Sequence, residues 1–275
     1  MPSLIATLFV AFWMQDSVPA DPKPEPNPAK AAADAQPKPV DVEAVEWLDK
    51  LEQKGREVQT FGAKVVYTKA DEFLGDKQVR KGELVYAAAN AVQKKPTRFA
   101  VRFDKYIVDG VQHDKKLEIA FDGAWLLEID YTNRRYVKRQ LVAPGEEGTL
   151  DPLSIDGPFP ITLGQKRDSV IQRFDVEVVP PDAANDPKDL KTVHLKLTPR
   201  ADAPRLRDQK RFDRVDFWFD RRTLLPVKVE TQEGAVRTTV LLQEAWENEA
   251  KEVDKLLDVT PKQGDWHTEV RPWEG

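Results

Sequence analysis

Two pairs of carboxylates are placed for acid–base chemistry. Asp216 and Asp220 stand four residues apart in Val215-Asp216-Phe217-Trp218-Phe219-Asp220, and Glu118 and Asp122 repeat the interval around Leu117, Ile119 and Phe121. Apolar and polar residues alternate in both stretches, so the two acids of each pair share one face of a strand. At the strand rise they are roughly 13 Å apart, beyond the ~5 Å of a retaining glycosidase pair. The ordinary reading is a solvated strand face, with a carboxylate-based hydrolase as the remote alternative. The histidines, His113, His194 and His267, are far apart in the chain and flanked mainly by polar or charged residues, with His194 on the wet face opposite Leu195. An isolated strand histidine is more often a surface residue than a ligand. Ser154 and Ser169 have no neighbouring histidine. The chain has no Gly-rich phosphate loop, dinucleotide fingerprint, HExxH or GxSxG, the short motifs of phosphate, metalloprotease and serine hydrolase sites. These residues predict a protein that is not an enzyme and holds no metal or cofactor.

Composition narrows the classes further. The chain has 275 residues, 42 Lys+Arg against 47 Asp+Glu, a formal net charge of −5 and no Cys. The absence of Cys excludes a disulfide framework, a thiolate nucleophile, Cys-ligated zinc and a lipid-modified Cys anchor. Mild acidity removes the basic surface that phosphate-backbone binding needs, so no nucleic-acid partner is expected.

Leu4 to Met14 is an uncharged apolar run. A helix of that length cannot cross a hydrocarbon core of ~30 Å, so no membrane-spanning segment is expected. The run leads into Val18-Pro19-Ala20 and reads as a secretory signal peptide (residues 1–20) cleaved near Ala20, although no Lys or Arg precedes it. The expected location is periplasmic or otherwise exported. Residues 21–40 continue a stretch with seven Pro between Pro19 and Pro39. Such a segment cannot bury enough apolar surface to offset its ordering entropy, which predicts a disordered tether.

The folded part is expected over 41–275 as one domain. Asp41 can cap a helix with Val42, Val45, Leu48 and Leu51 on one face, and Lys166 to Phe174 suggests a second helix. Almost everything else alternates with period two: Phe99/Val101/Phe103, Leu117/Ile119/Phe121, Trp125/Leu127/Ile129 after the Asp122-Gly123 turn, Leu195/Leu197, Val215/Phe217/Phe219, and Val236 to Leu242. About ten antiparallel strands with one wet and one dry face give a mostly β (α+β) fold. Its economical form is a strongly curved sheet or unclosed barrel with the Asp41 helix on the dry face. The loops Pro180–Lys191 and Pro199–Lys210 read as solvent-facing.

A wide open barrel faced by one helix encloses more volume than that helix fills, leaving a second layer or an apolar cavity. Leu153, Ile155, Phe159, Ile161 and Leu163, on a stretch broken by Gly and Pro, together with the helix carrying Val170, would then form a lid. A sixteen-carbon chain gains about 13 kcal/mol on leaving water, at ~0.8 kcal/mol per CH₂. The candidate cavity lining is Leu84, Tyr86, Phe99, Val101, Phe103, Phe121, Trp125, Leu127, Phe217 and Phe219. Each is equally readable as plain core.

Several short motifs in order carry a family resemblance. Gly82-Glu83-Leu84-Val85-Tyr86, Lys95-Pro96-Thr97-Arg98-Phe99, Phe121-Asp122-Gly123-Ala124-Trp125 and Phe217-Trp218-Phe219-Asp220 with Leu224-Leu225-Pro226-Val227 follow an export signal and a helix. Over residues 41–250 the chain resembles the outer-membrane lipoprotein carrier (LolA-like) superfamily, as a divergent member of planctomycete type. The resemblance implies an unclosed barrel with helices lidding a hydrophobic cavity. It also implies acyl chains or lipoproteins as cargo and membrane-bound donor and acceptor proteins as partners. In the carriers an arginine bonds lid backbone groups and keeps the cavity shut; Arg98, in the matching strand, is the candidate here. An envelope sensor or interaction module that binds a lipid or peptide in the same groove is the alternative.

Overall fold

The computed structural model describes residues 41–90, 92–146, 153, 155, 159, 161, 163–182, 186–187, 191–200, 212–249, 252–258 and 264–273. The expected leader and its cleavage site, the Pro-rich stretch and most of Pro199–Lys210 lie outside the described residues.

Helix α1, Val42–Glu57, starts where Asp41 accepts the Ala44 N–H at 3.2 Å. The other oxygen of Asp41 accepts the Val178 N–H at 3.0 Å, so one side chain caps the helix and ties it to a strand edge. That second bond is the main reason the carboxyl lies below its ordinary range. The buried face is Ala44, Leu48 and Leu51, while Val42 is exposed. The spacing of Val42, Val45, Leu48 and Leu51 misplaces this face because each three-residue step falls about 60° short of a turn. An i, i+4, i+7 set stays aligned.

Thirteen strands follow: β1 Thr60–Asp71, β2 Asp76–Ala87, β3 Arg98–Val108, β4 Val111–His113, β5 Leu117–Phe121, β6 Trp125–Asp130 and β7 Arg135–Gln140. After α2, Arg167–Arg173, come β8 Phe174–Val179, β9 Thr192–Pro199, β10 Arg214–Asp220, β11 Pro226–Glu233 and β12 Val236–Glu247. Helix α3, Val253–Leu256, and β13, His267–Arg271, end the described chain. All the strands form one sheet in the order β13-β7-β6-β5-β3-β2-β1-β12-β11-β10-β9-β8, with β4 paired to β3. The expectation of a mostly β, curved and unclosed sheet with a few helices is met. Most neighbours are sequence neighbours joined by hairpins. The exceptions are β5 against β3, which also pairs with β4; β1 against β12, which joins the two halves; and β13, which runs parallel to β7 at one end.

Bends are built in where the register slips, between Gly62 and Lys64, between Lys81 and Gly82, and between Trp218 and Phe219. Such bulges turn a strand and increase its twist. At Gly82 a Cβ would stand 1.9 Å from the Arg102 carbonyl oxygen, so only glycine allows β2 and β3 to close there.

The register defines two faces. On the inner face one row runs Phe61, Tyr86, Phe99, Phe121; the next runs Ala63, Leu84, Val101, Ile119; a third runs Val65, Gly82, Phe103, Leu117. Through β12 the same face continues to Tyr67, Val240, Val229, Phe217 and Leu195. The expected wet face is not uniformly wet. On the outer side Val85, Ala87, Ala100, Ala120 and Leu127 form a second core with Leu257, flanked by Trp125, Tyr136, Trp246, Val253 and Leu256. Small side chains on three adjacent strands let the four-residue α3 approach closely.

Candidate ligand-binding face

The inner face divides by what covers it. Over β8 to β11, the side chains of Phe217 and Phe219 pack with Val193, Leu195 and Leu197 against Ala44, Leu48 and Leu51 of α1 and Val170 of α2, with Ile155 in the same cluster. Over β1 to β5 the cover is Phe159, whose ring lies 6.4 Å from Tyr67 and 6.3 Å from Phe99, itself 6.4 Å from Phe121. Leu153, Ile155, Phe159, Ile161 and Leu163 are all buried, and the Ile161 N–H donates to the Leu153 carbonyl at 3.2 Å. These residues of the connection between β7 and α2 therefore fold back over the sheet.

Beyond β5 the floor changes character. The inner rows continue into Leu126, Glu128 and Asp130 of β6, then Arg139, Val137 and Arg135 of β7, then Glu269 and Arg271 of β13. Burial pushes the Glu128 carboxyl up, and Glu269 is held below its ordinary range by Arg135, at 2.9 Å, and Arg271. Arg80, only 9% exposed, stands on the inner face of β2 with its guanidinium 4.5 Å from the Tyr106 ring. The inner surface is thus an aromatic and aliphatic floor with charged groups along one margin.

The sequence-expected lining separates accordingly. Leu84, Phe99, Val101, Phe103, Phe121, Phe217 and Phe219 are buried on the inner face, and Tyr86 is half-buried in its first row. Trp125 and Leu127 are not there: they pair across to Gln140 and Lys138 on the outer face and belong to the core under α3. Both alternating sets of β6 contain leucine, so alternation alone does not say which set points inward. Tyr67 and Phe61 are absent from the expected lining, although Phe61, Ala63, Val65 and Tyr67 alternate in β1 and could be found that way.

Arg98 also lies on the outer face. It pairs across from Ala87, and its Nη2 donates to Asp254 Oδ1 at 2.7 Å, while Lys95 Nζ reaches Oδ2 at 2.6 Å. It therefore fastens α3, on the side of the sheet away from the lid residues. These two cations, Lys95 first, hold the Asp254 carboxyl down at about 2. A groove of about 530 Å³ beside α3 has a mixed lining, with Thr60, Asn90, Lys95, Arg98 and Asp254 beside Ala87, Ala88 and Val253.

The end of the lid connection is held by α1. Gly55 meets Gly164 backbone to backbone: a Cβ on Gly55 would stand 2.0 Å from the Gly164 Cα, and Gly164 has φ +76°. Three residues on, Glu52 accepts the Arg167 N–H at 2.8 Å, the largest influence holding its carboxyl below the ordinary range. Asp49 binds the Arg167 guanidinium at 3.0 Å.

The acid–base candidates have structural partners. Asp216 is buried, with His194 Nε2 at 2.9 Å and Arg214 Nε at 2.6 Å. His194 is buried rather than solvated because its ring stacks 4.0 Å from Trp218, whose Nε1–H is capped by Asp186 at 2.8 Å. Asp220 accepts the Thr223 and Arg222 N–H groups of a turn; burial opposes its ionisation, but those donors bring its carboxyl below the ordinary range. Glu118 binds Arg102 and Tyr131, and Asp122 closes its hairpin turn by accepting the Trp125 N–H at 2.8 Å. Among the described residues no three His, Cys, Asp or Glu side chains gather as a metal site, and no helix is long and apolar enough to cross a membrane.

No protein-family model matches the chain, and no curated protein matches it. Similar solved structures include an uncharacterised conserved protein from Thermus thermophilus, with TM-score 0.46 and 12% identity over 83% of this chain and 99% of that one. LprF from Mycobacterium bovis has TM-score 0.42 and 13% identity over 77% and 96%. A LolA superfamily protein from Nitrosomonas europaea has TM-score 0.31 and 11% identity over 78% and 97%. These are likenesses of fold.

Proposed function

We propose that the chain is a non-enzymatic carrier in the cell envelope. In this reading it shelters acyl chains of a lipid or lipoprotein on the inner face during transfer between a membrane-bound donor and an acceptor. One observation carries the reading: the aromatic floor of β1 to β5 is covered by Phe159, one of five buried apolar side chains of a single connection between β7 and α2. A cover of this kind makes the contacts an acyl chain would make, and each CH₂ that replaces it regains about 0.8 kcal/mol of transfer free energy. The charged margin formed by Glu128, Arg139 and Glu269 suits an amphiphile whose polar end stays beside the apolar floor.

Native mass spectrometry of the full chain, purified from its own envelope and followed by solvent extraction, tests the proposal. The expected result is a stoichiometric lipid or acylated-peptide mass, with Phe99→Asp losing it and Leu127→Asp, on the outer face, retaining it wherever that variant still folds. Preparations free of lipid that also fail to take up a fluorescent fatty acid would overturn the carrier reading.

A further inference from the structure

Among the described residues seven large apolar side chains are exposed, and three of them, Phe73, Leu74 and Val111, come to one end of the sheet. Phe73, 86% exposed, and Leu74, 66% exposed, stand side by side at the apex of the β1–β2 hairpin, and Val111 is exposed at the start of β4. The register brings them to one end of the sheet. Asp71 pairs with both Asp76 and Val236, and Gln78 pairs with Val108, so the turns at 72–75, 109–110 and 234–235 leave the sheet together.

The apex is ordered by its own hydrogen bonds. One Asp71 carboxylate oxygen accepts the N–H groups of Phe73 and Leu74, each at 3.0 Å, and the Gly75 N–H donates to the Asp71 carbonyl at 2.8 Å. The Glu72 N–H donates to the Ala235 carbonyl at 2.9 Å, and its carboxylate pairs with Arg237, so the neighbouring hairpin braces this one. With these backbone donors satisfied internally, the two apolar side chains project beyond the turn. A fixed convex pair is poorly enclosed by a flat protein surface, whereas the interfacial layer of a bilayer closes around it. Charge selects the kind of bilayer. In residues 70–77 and 233–237, Asp71, Glu72, Asp76 and Glu233 outnumber Lys77 and Arg237, which disfavours an anionic leaflet.

We propose that the Phe73–Leu74 apex is a membrane-docking wedge that enters an electrically neutral, zwitterionic lipid surface, with Val111 at its margin. This is independent of what the inner face holds. Two inserted side chains give weak, reversible binding, below that of a single acyl anchor, and each contributes about tenfold to partitioning.

Because the chain has no cysteine, single reporters can be placed cleanly. Phe73→Cys, Val111→Cys and, in the loop at the opposite end of the sheet, Val92→Cys (94% exposed) would each carry one environment-sensitive fluorophore on the full chain. With phosphatidylcholine vesicles, emission at 73 and more weakly at 111 should shift to the blue and be quenched by brominated acyl chains. The reporter at 92 should stay in water, and about 0.5 M salt should change nothing. Adding F73S and L74S to V111C should raise the vesicle concentration required roughly a hundredfold, with an unchanged melting curve. A reporter at 73 that stays in water, or equal responses at 73 and 92, overturns the proposal. So does a response that needs anionic lipid and disappears in salt. A response elicited only by envelope proteins would overturn it too, assigning the apex to a protein pocket.

Discussion

The two faces of the sheet are built from the same strands and covered by opposite means. On the inner face Phe61, Phe99, Phe103 and Phe121 are covered by other apolar side chains, and the cover is held at its end by backbone packing at Gly55 and Gly164. On the outer face Ala87, Ala100 and Ala120 leave a shallow floor for a short helix, which charges fasten: Asp254 to Lys95 and Arg98, and the Asp258 carbonyl to Arg102 at 3.0 Å. A cover seated on large side chains draws most of its stability from area, with the Glu52 carboxylate at its end as an acid-sensitive tie. One seated on small side chains needs ion pairs and inherits their pH dependence.

The largest expected effect is on the inner face. Phe99→Ala should lower unfolding free energy by about 3–5 kcal/mol in urea titration, because it opens a cavity under Phe159 and beside Phe121. A loss no greater than that of an exposed substitution would break the contrast between the faces. Next in size is Gly55→Ala, at roughly 1–3 kcal/mol, since the added methyl must displace Gly164. Hydrogen exchange should then rise at residues 161–167 while residues 253–257 keep their protection; equal loosening of both would show that the covers are coupled.

How much of this is legible in the chain follows from where each cover comes from. Alternation in β3, β5 and β10 identifies the inner phenylalanines, and Asp41 announces its helix, because those signals lie within one element. The outer core is not legible. Ala100 and Ala120 fit either face, and the four residues of α3 are too few for a helical period to show. Its contacts also join residues more than 150 positions apart, such as Arg98 and Asp254. The misplacement of Trp125 and Leu127 has the same origin, since alternation suggests a single dry face where the sheet has two. His194 reads as solvated because the chain gives no sign that Trp218 and Asp186 close over it.

The smallest effect concerns the outer cover and acid. The Asp254 carboxyl is held down at about 2, below its unfolded value, so its contribution is present above about pH 4 and lost as pH falls through about 2. Amide protection at Val253–Leu257 should therefore fall across that window in the parent chain. Asp254→Asn should begin at the lower level and show little further change across the same window.

The β1–β12 pairing sets the order of events during synthesis. Strands β1 to β7 can assemble by short hairpins as they emerge, but Val65 waits for Leu242 and Tyr67 for Val240, close to the end of the chain. Until then the central strand has an open edge and its phenylalanines lack half their surroundings, in a topology of high contact order that folds slowly. The nascent first half is thus the aggregation-prone species, and a chain truncated before β12 should depend on chaperones more than one that carries it.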